Sequence, residues 1–129
     1  MVIRALLLLL GLFHLANGLV MLFAPAQWFA AVPGVPMTGP FNHHFVQDVG
    51  LAFVASAAGL GFGALRRPYA GLLAAAGATW PVLHALLHVW GWLTGAMADP
   101  HIIATEAMGV VVPATLGVAL AGLRLRGEN

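Results

Sequence analysis

Four segments of this chain run for twenty residues or more with at most one charged side chain in each: 5–24, 41–65, 69–93 and 102–123. A helix needs about 20 mostly apolar residues to cross the hydrocarbon of a bilayer. Only helices or closed barrels can satisfy their backbone polar groups there. Composition agrees: of 129 residues, 61% are hydrophobic and 7% charged, where soluble domains carry roughly 25% charged residues. A soluble monomer built from this chain would expose large apolar patches. An ordinary cytosolic domain, a nucleic-acid binder and a disordered chain are therefore excluded. The expectation is an all-α integral membrane four-helix bundle, one domain over 1–129, with those segments as its spans.

The breaks between spans have chemical causes. Pro25, Pro33, Gly34, Pro36, Gly39 and Pro40 make a first loop that cannot stay helical. Arg66-Arg67-Pro68 reads as a tight second turn, and Gly95 to Pro100 as the third loop. Asp99 reads as the N-cap of the last helix, with Pro100 at its first position. Short loops make consecutive helices antiparallel neighbours, so the topology is up-and-down. The first span shares features with a signal peptide: Arg4, a leucine run, and small residues near Ala24 and Ala26. Its apolar stretch is longer than a usual signal core, and it is read as a span.

Arginine sets the orientation. Arg4, Arg66, Arg67, Arg124 and Arg126 all fall in regions that share one side of a four-span chain. The positive-inside rule makes that side cytoplasmic, together with both termini. Trp28, Trp90 and Trp92 then belong to the outer interface. Ser56, Gly59, Gly61, Gly63, Gly71 and Gly77 are small residues of the kind that let helices pack closely in lipid. Pro81 and Pro113 each remove a donor within a span and predict a kink.

The chain has no cysteine, so disulfides, thiolate metal sites, Fe–S clusters and covalently attached haem are excluded. It has six histidines, unusual beside so little other polarity. At about 1.5 Å per residue, every His and both intramembrane acids, Asp48 and Glu106, fall in the outer half of the bundle. His44 and Asp48 are four apart, as are His84 and His88, so each pair points one way from its helix. Such groups in lipid cost several kcal/mol unless paired or coordinated, in order-of-magnitude terms. They are expected to face inward and meet.

His44, His84, His88, Asp48 and Glu106 together form a ligand set suited to a divalent transition metal such as zinc, iron or copper. His14, Asn17, His43, Gln47 and His101 would orient those ligands from behind. His43 also reads as a solvated interfacial residue, and His101 as interfacial or close to the helix cap. Asp48 and Glu106 read as ligands, or one of them as a general base, with Glu106 favoured as a ligand because it has no Arg or Lys partner on the outer side. As a ligand, Glu106 would be ionised; as a general base, it would stay uncoordinated.

Arg4 opening the first helix, the Phe23-Ala24-Pro25 exit, and the block from Pro33 through Asn42-His43-His44-Phe45 to Asp48-Val49-Gly50 resemble the small four-helix bacterial membrane proteins of the DoxX-like kind. The likeness is architectural and carries over no site residue. It implies a bacterial inner membrane. The pattern of His44, Asp48, His84 and His88 is also similar to that of the ceramidase-type membrane hydrolases. In those proteins three histidines, two of them in an HxxxH pair, hold zinc, and an aspartate holds the attacking water. They have seven spans, against four here, and Glu106 has no counterpart in the pattern. Membrane desaturases also use HxxxH boxes, but they need more histidines than this chain has.

Three functions are compatible with these residues, of which the first is the leading expectation. The first is a metal-dependent enzyme acting on a lipophilic small molecule at the outer face, by hydrolysis or oxidation. The second is an electron carrier with haem b held between two histidines, for example His14 with His84 or His88. The third is a proton relay or accessory subunit built from Asp48, Glu106 and the histidines. The expected partner in all three is the bilayer, and a homo-oligomer is compatible with each.

Overall fold

The structure, a computed structural model, describes residues 1–65, 68–97 and 99–127. The described residues are helical with short connections and contain no β-strand. Helix α1 is Val2–Phe23, the short α2 is Pro25–Ala31, and α3 is His43–Leu65. Helix α4 is Ala70–Leu93, and α5 is Pro100–Arg126. A 3₁₀ turn at Val35–Thr38 lies in the first loop. Helices α1, α3, α4 and α5 are each long and apolar enough to cross a membrane. Of the second turn, Arg66 and Arg67 lie outside the described residues.

Proline and aspartate place the helix starts. Pro25 opens α2, where its missing N–H costs nothing. Asp99 caps α5 as its spacing predicts, its Oδ1 accepting from the backbone N–H groups of His101 (2.8 Å) and Ile102 (3.2 Å). At the other end of α5, Arg124 donates from Nε to the Gly63 carbonyl at 3.2 Å, on the last turn of α3. A cation there meets the negative end of the α3 dipole.

Small residues bring the backbones together. A Cβ on Gly18 would lie 2.7 Å from the Gly50 carbonyl oxygen, which marks the α1–α3 crossing. A Cβ on Gly59 would lie 2.5 Å from the Gly77 Cα, and one on Gly63 would lie 2.6 Å from Ala74, which marks α3–α4. Gly71 sits equally close to Leu125 of α5. Numbers rise on one helix as they fall on its neighbour, so these neighbours run antiparallel. In lipid there is no hydrophobic drive between helices, and such close packing is what holds them.

The interior has two parts. Leu7, Leu10, Leu60, Ala64, Ala74, Ala78, Leu120 and Ala121 form an apolar core toward the end that carries Arg4 and Arg124. Toward the other end, Met21, Val46 and Phe53 pack with Trp28, Phe29 and Trp80. Within α5, residues Ala107–Val111 are π-helical, and the Val112 N–H reaches back five residues to the Ala107 carbonyl. Pro113 follows directly and has no N–H for the Gly109 carbonyl, which disfavours ordinary helical register at this point.

The glycine contacts make a paired prediction. Gly59→Val puts side-chain atoms into the α4 backbone, which cannot yield, and is expected to cost about 1–3 kcal/mol or more. Gly61→Ala meets nothing within 4 Å and is expected to be neutral or slightly stabilising. Thermal unfolding of both variants in the same detergent checks this. Equal midpoints would contradict the helix contact described.

Candidate functional site

One face of α4 carries Trp80, His84, His88 and Trp92 at intervals of four residues. Four residues overshoot a helical turn by about 40°, so the row winds slowly around the helix. Its lower members, Trp80 and His84, turn toward α3, where Phe53 meets the Trp80 ring edge-on at 4.8 Å. Its upper members, His88 and Trp92, meet Glu106 of α5.

Glu106 is 7% exposed. Its Oε2 accepts from the Trp92 indole N–H at 2.6 Å and lies 3.1 Å from His88 Nδ1. Nε2 of His88 lies 3.2 Å from Nε2 of His84. The His84 ring stacks on Trp80 at 4.7 Å with the planes 13° apart. Trp92, Glu106, His88 and His84 are thus joined in a row of polar contacts through the upper part of the bundle.

The direction of each hydrogen bond follows from the donors available. The indole can only donate. With Glu106 ionised, His88 donates its Nδ1–H to the carboxylate. A neutral His88 then has a bare Nε2, and His84 must donate from its own Nε2. When one proton enters at His84 Nδ1 and the His84 Nε2 proton crosses to His88 Nε2, the second bond reverses, so that His88 donates to His84. The two states differ by one proton in total and by the tautomer of His84, and need no movement of heavy atoms.

The first loop closes over the carboxylate. Gly34 has φ 84°, and a Cβ there would lie 2.8 Å from Ile102 Cγ2 and 3.6 Å from Glu106 Oε1. Glycine is needed at this position for both the left-handed backbone and the close approach.

His14 of α1 is 2% exposed, and its Nδ1 donates to the Leu10 carbonyl at 2.9 Å. It lines a cavity of about 10 Å³ together with Phe53, Trp80, Pro81, His84, Gly109, Val110 and Pro113. His14 and His84 therefore face one small chamber from different helices.

The fold does not bring the other expected residues to this cluster. His44 and Asp48 form their own pair at 3.6 Å, with side chains 86% and 56% exposed. The interior face of α3 runs through Val46, Gly50 and Phe53. His44 and Asp48 each stand two residues from a member of that face, about 200° around the helix. They sit in the first two turns, so the expectation that every such acid must face inward is corrected for this pair. His43 is exposed beside Phe41. The His101 side chain is exposed at the start of α5.

Asn17 and Gln47 have structural partners. Asn17 Oδ1 accepts from the Trp28 indole at 2.8 Å, which fastens α2 against α1. Gln47 Nε2 donates to the Leu22 carbonyl at 3.0 Å, in the last turn of α1. Among the described residues, no group of three or more His, Asp or Glu side chains is placed to hold a metal ion. The five-ligand set drawn from the sequence is not assembled.

Trp80 and Trp92 belong to the site although the sequence pattern above does not include them. Their four-residue spacing from His84 and His88 is the signal for it, masked at Trp92 by the preference of indoles for the interface. The chain matches no protein-family model, no curated protein and no solved structure.

Trp92→Phe keeps the ring but removes the donor to buried Glu106. A loss of about 1–3 kcal/mol is expected, the usual penalty for a deprived buried acceptor. Trp90→Phe, at an exposed position, is the control and is expected to change little. Equal effects in chemical denaturation would show that the Trp92–Glu106 bond contributes nothing.

Proposed function

We propose that this chain is a proton-handling membrane protein, in which Glu106, His88 and His84 hold a proton and pass it along the row. The observation that carries this reading is the unbroken sequence of contacts from Glu106 through both nitrogens of His88 to His84, at 3.1 and 3.2 Å. Ionisable groups in membrane spans are expensive and commonly mark relays. These three are linked to one another, where isolated groups would each need separate satisfaction. The role fits an accessory subunit or a proton-coupled site for a lipophilic small molecule.

We further propose that the chain spans a bacterial inner membrane with both termini cytoplasmic and the relay in the outer half. Arg4, Arg124 and Arg126 support this orientation, standing at one end of the bundle while the relay stands toward the other.

A second reading has one observation in its favour. Two imidazole nitrogens bound to one tetrahedral metal ion at about 2.0–2.1 Å each would stand a little over 3 Å apart. The His84 and His88 Nε2 atoms are 3.2 Å apart, and Glu106 backs His88 as carboxylates back metal-bound histidines. Further ligands would have to come from outside the described residues. A haem held between His14 and His84 or His88 would need the space lined by His14 and His84, about 10 Å³ here, to be wider.

The relay predicts coupled titration. Histidine ¹⁵N spectra of the full chain in lipid should show His84 and His88 responding to pH as a pair. Glu106→Gln should change the tautomer and titration of both rings while leaving His43 and His44 unaltered. Independent titration of the two rings, or a stoichiometric transition metal in the purified protein, would overturn the relay.

Orientation is tested separately. Reporters fused after Asn129 are expected to read as cytoplasmic and those inserted near Gly39 as external. The reverse pattern would place the cluster on the inner side.

A further inference from the structure

His14 is left over by the relay described above. It is almost wholly buried, on a different helix from the other three groups, and in a chain that has few polar residues to spare. Its protonation pattern is fixed by its partner. The Leu10 carbonyl can only accept, so the proton of a neutral His14 sits on Nδ1, and Nε2 is a bare acceptor. Nε2 has no hydrogen-bond partner among the described residues. No fully enclosed side-chain nitrogen or oxygen among the described residues lacks a partner, so Nε2 is not wholly enclosed, and His14 lines the chamber.

A second imidazole belongs to the lining of the chamber. His84 lines it, and the ring nitrogen that His84 does not share with His88 is Nδ1. Gly109, Val110 and Pro113 line the same space, at the point where Pro113 deprives the Gly109 carbonyl of its ordinary helical donor. A volume of about 10 Å³ is close to the smallest that admits one water, and a buried water usually makes 2–4 hydrogen bonds. The remaining lining, from Phe53, Trp80 and Pro81, is apolar.

We infer that this chamber is a binding site for a single water molecule, which bridges His84 and His14 and extends the proton relay from α4 and α5 to α1. The inference rests on the relay reading. The transfer balances within the three groups. An N–H bond at His84 Nδ1 breaks as an O–H bond forms on the water. The water's other proton leaves to form an N–H bond at His14 Nε2. The water is regained, and one positive charge has moved from His84 to His14. The titratable groups on the helices around the path are His14 from α1, His84 and His88 from α4, and Glu106 from α5. On α3, Phe53 lines the chamber and carries no charge.

Water-edited solid-state NMR on the full chain in lipid vesicles, with ¹⁵N-labelled histidine, tests this. The rings of both His14 and His84 are expected to receive magnetisation from water. Val110→Leu, which adds bulk at the chamber wall and leaves both imidazoles unsubstituted, is expected to abolish that transfer at both rings. The coupled titration of His84 and His88 should survive in that variant. A dry His14 ring in the unsubstituted protein, with His84 and His88 still titrating as a pair, would overturn the water bridge alone. A dry ring together with independent titration would remove the relay as well. Undiminished transfer in Val110→Leu would show that the water lies elsewhere. If that variant does not fold, the measurement on the unsubstituted protein still decides.

Discussion

A carboxylate inside an apolar helix bundle needs donors, and the half of this protein away from Arg4 and Arg124 is arranged around giving them to Glu106. Both come from α4, the Trp92 indole and the His88 imidazole, each reaching the same oxygen. The requirement fixes the rotation of α5 against α4. It also fixes the height of Gly34, whose backbone lies against Ile102 and the other carboxylate oxygen. Removing one partner from a buried charged contact costs far more than the intact contact contributes, because the remaining group is left unsolvated. The cluster therefore acts as a specification of geometry more than as a source of stability.

The opposite half of the bundle works on different physics. Leu7, Leu60, Ala64, Ala74 and Ala121 meet without any ionisable side chain among them. Closeness there comes from Gly59 against Gly77 and Gly63 against Ala74. Close backbone packing of this kind is rigid and insensitive to pH. The protein thus joins a fixed scaffold at its arginine-bearing end to a polar region whose hydrogen bonds can reverse.

Much of this was legible in the sequence, for identifiable reasons. Uninterrupted apolar runs define spans, and prolines with Asp99 mark where helices begin. His84, His88 and Glu106 were found because four-residue spacing and the cost of burial are both written in the chain. His44 and Asp48 show where that reasoning stops. The same spacing occurs in the first turns of α3, where a polar pair can stay on the exterior, and spacing alone does not say which face is inward. Asn17 and Gln47, expected behind the ligands, have other partners, because Trp28 and the Leu22 carbonyl are brought to them by α2 folding back and by the way α3 meets the end of α1. Trp92 illustrates a competing rule: the usual preference of indoles for the interface hid its four-residue relation to His88.

The π-helical turn at Ala107–Val111 has a consequence for how such a bundle changes over time. A turn of this kind is equivalent to one residue inserted into an α-helix, so it lets the two halves of α5 keep separate angular registers. Below it, Ala114, Gly117, Leu120 and Ala121 can be chosen for fit against the scaffold. Above it, Glu106 is aimed by its own segment. Loss of a single residue from this turn would swing the carboxylate by about 100° relative to everything beneath it. The chemistry of one half can thus be retuned by length, while the packing of the other is retuned by composition.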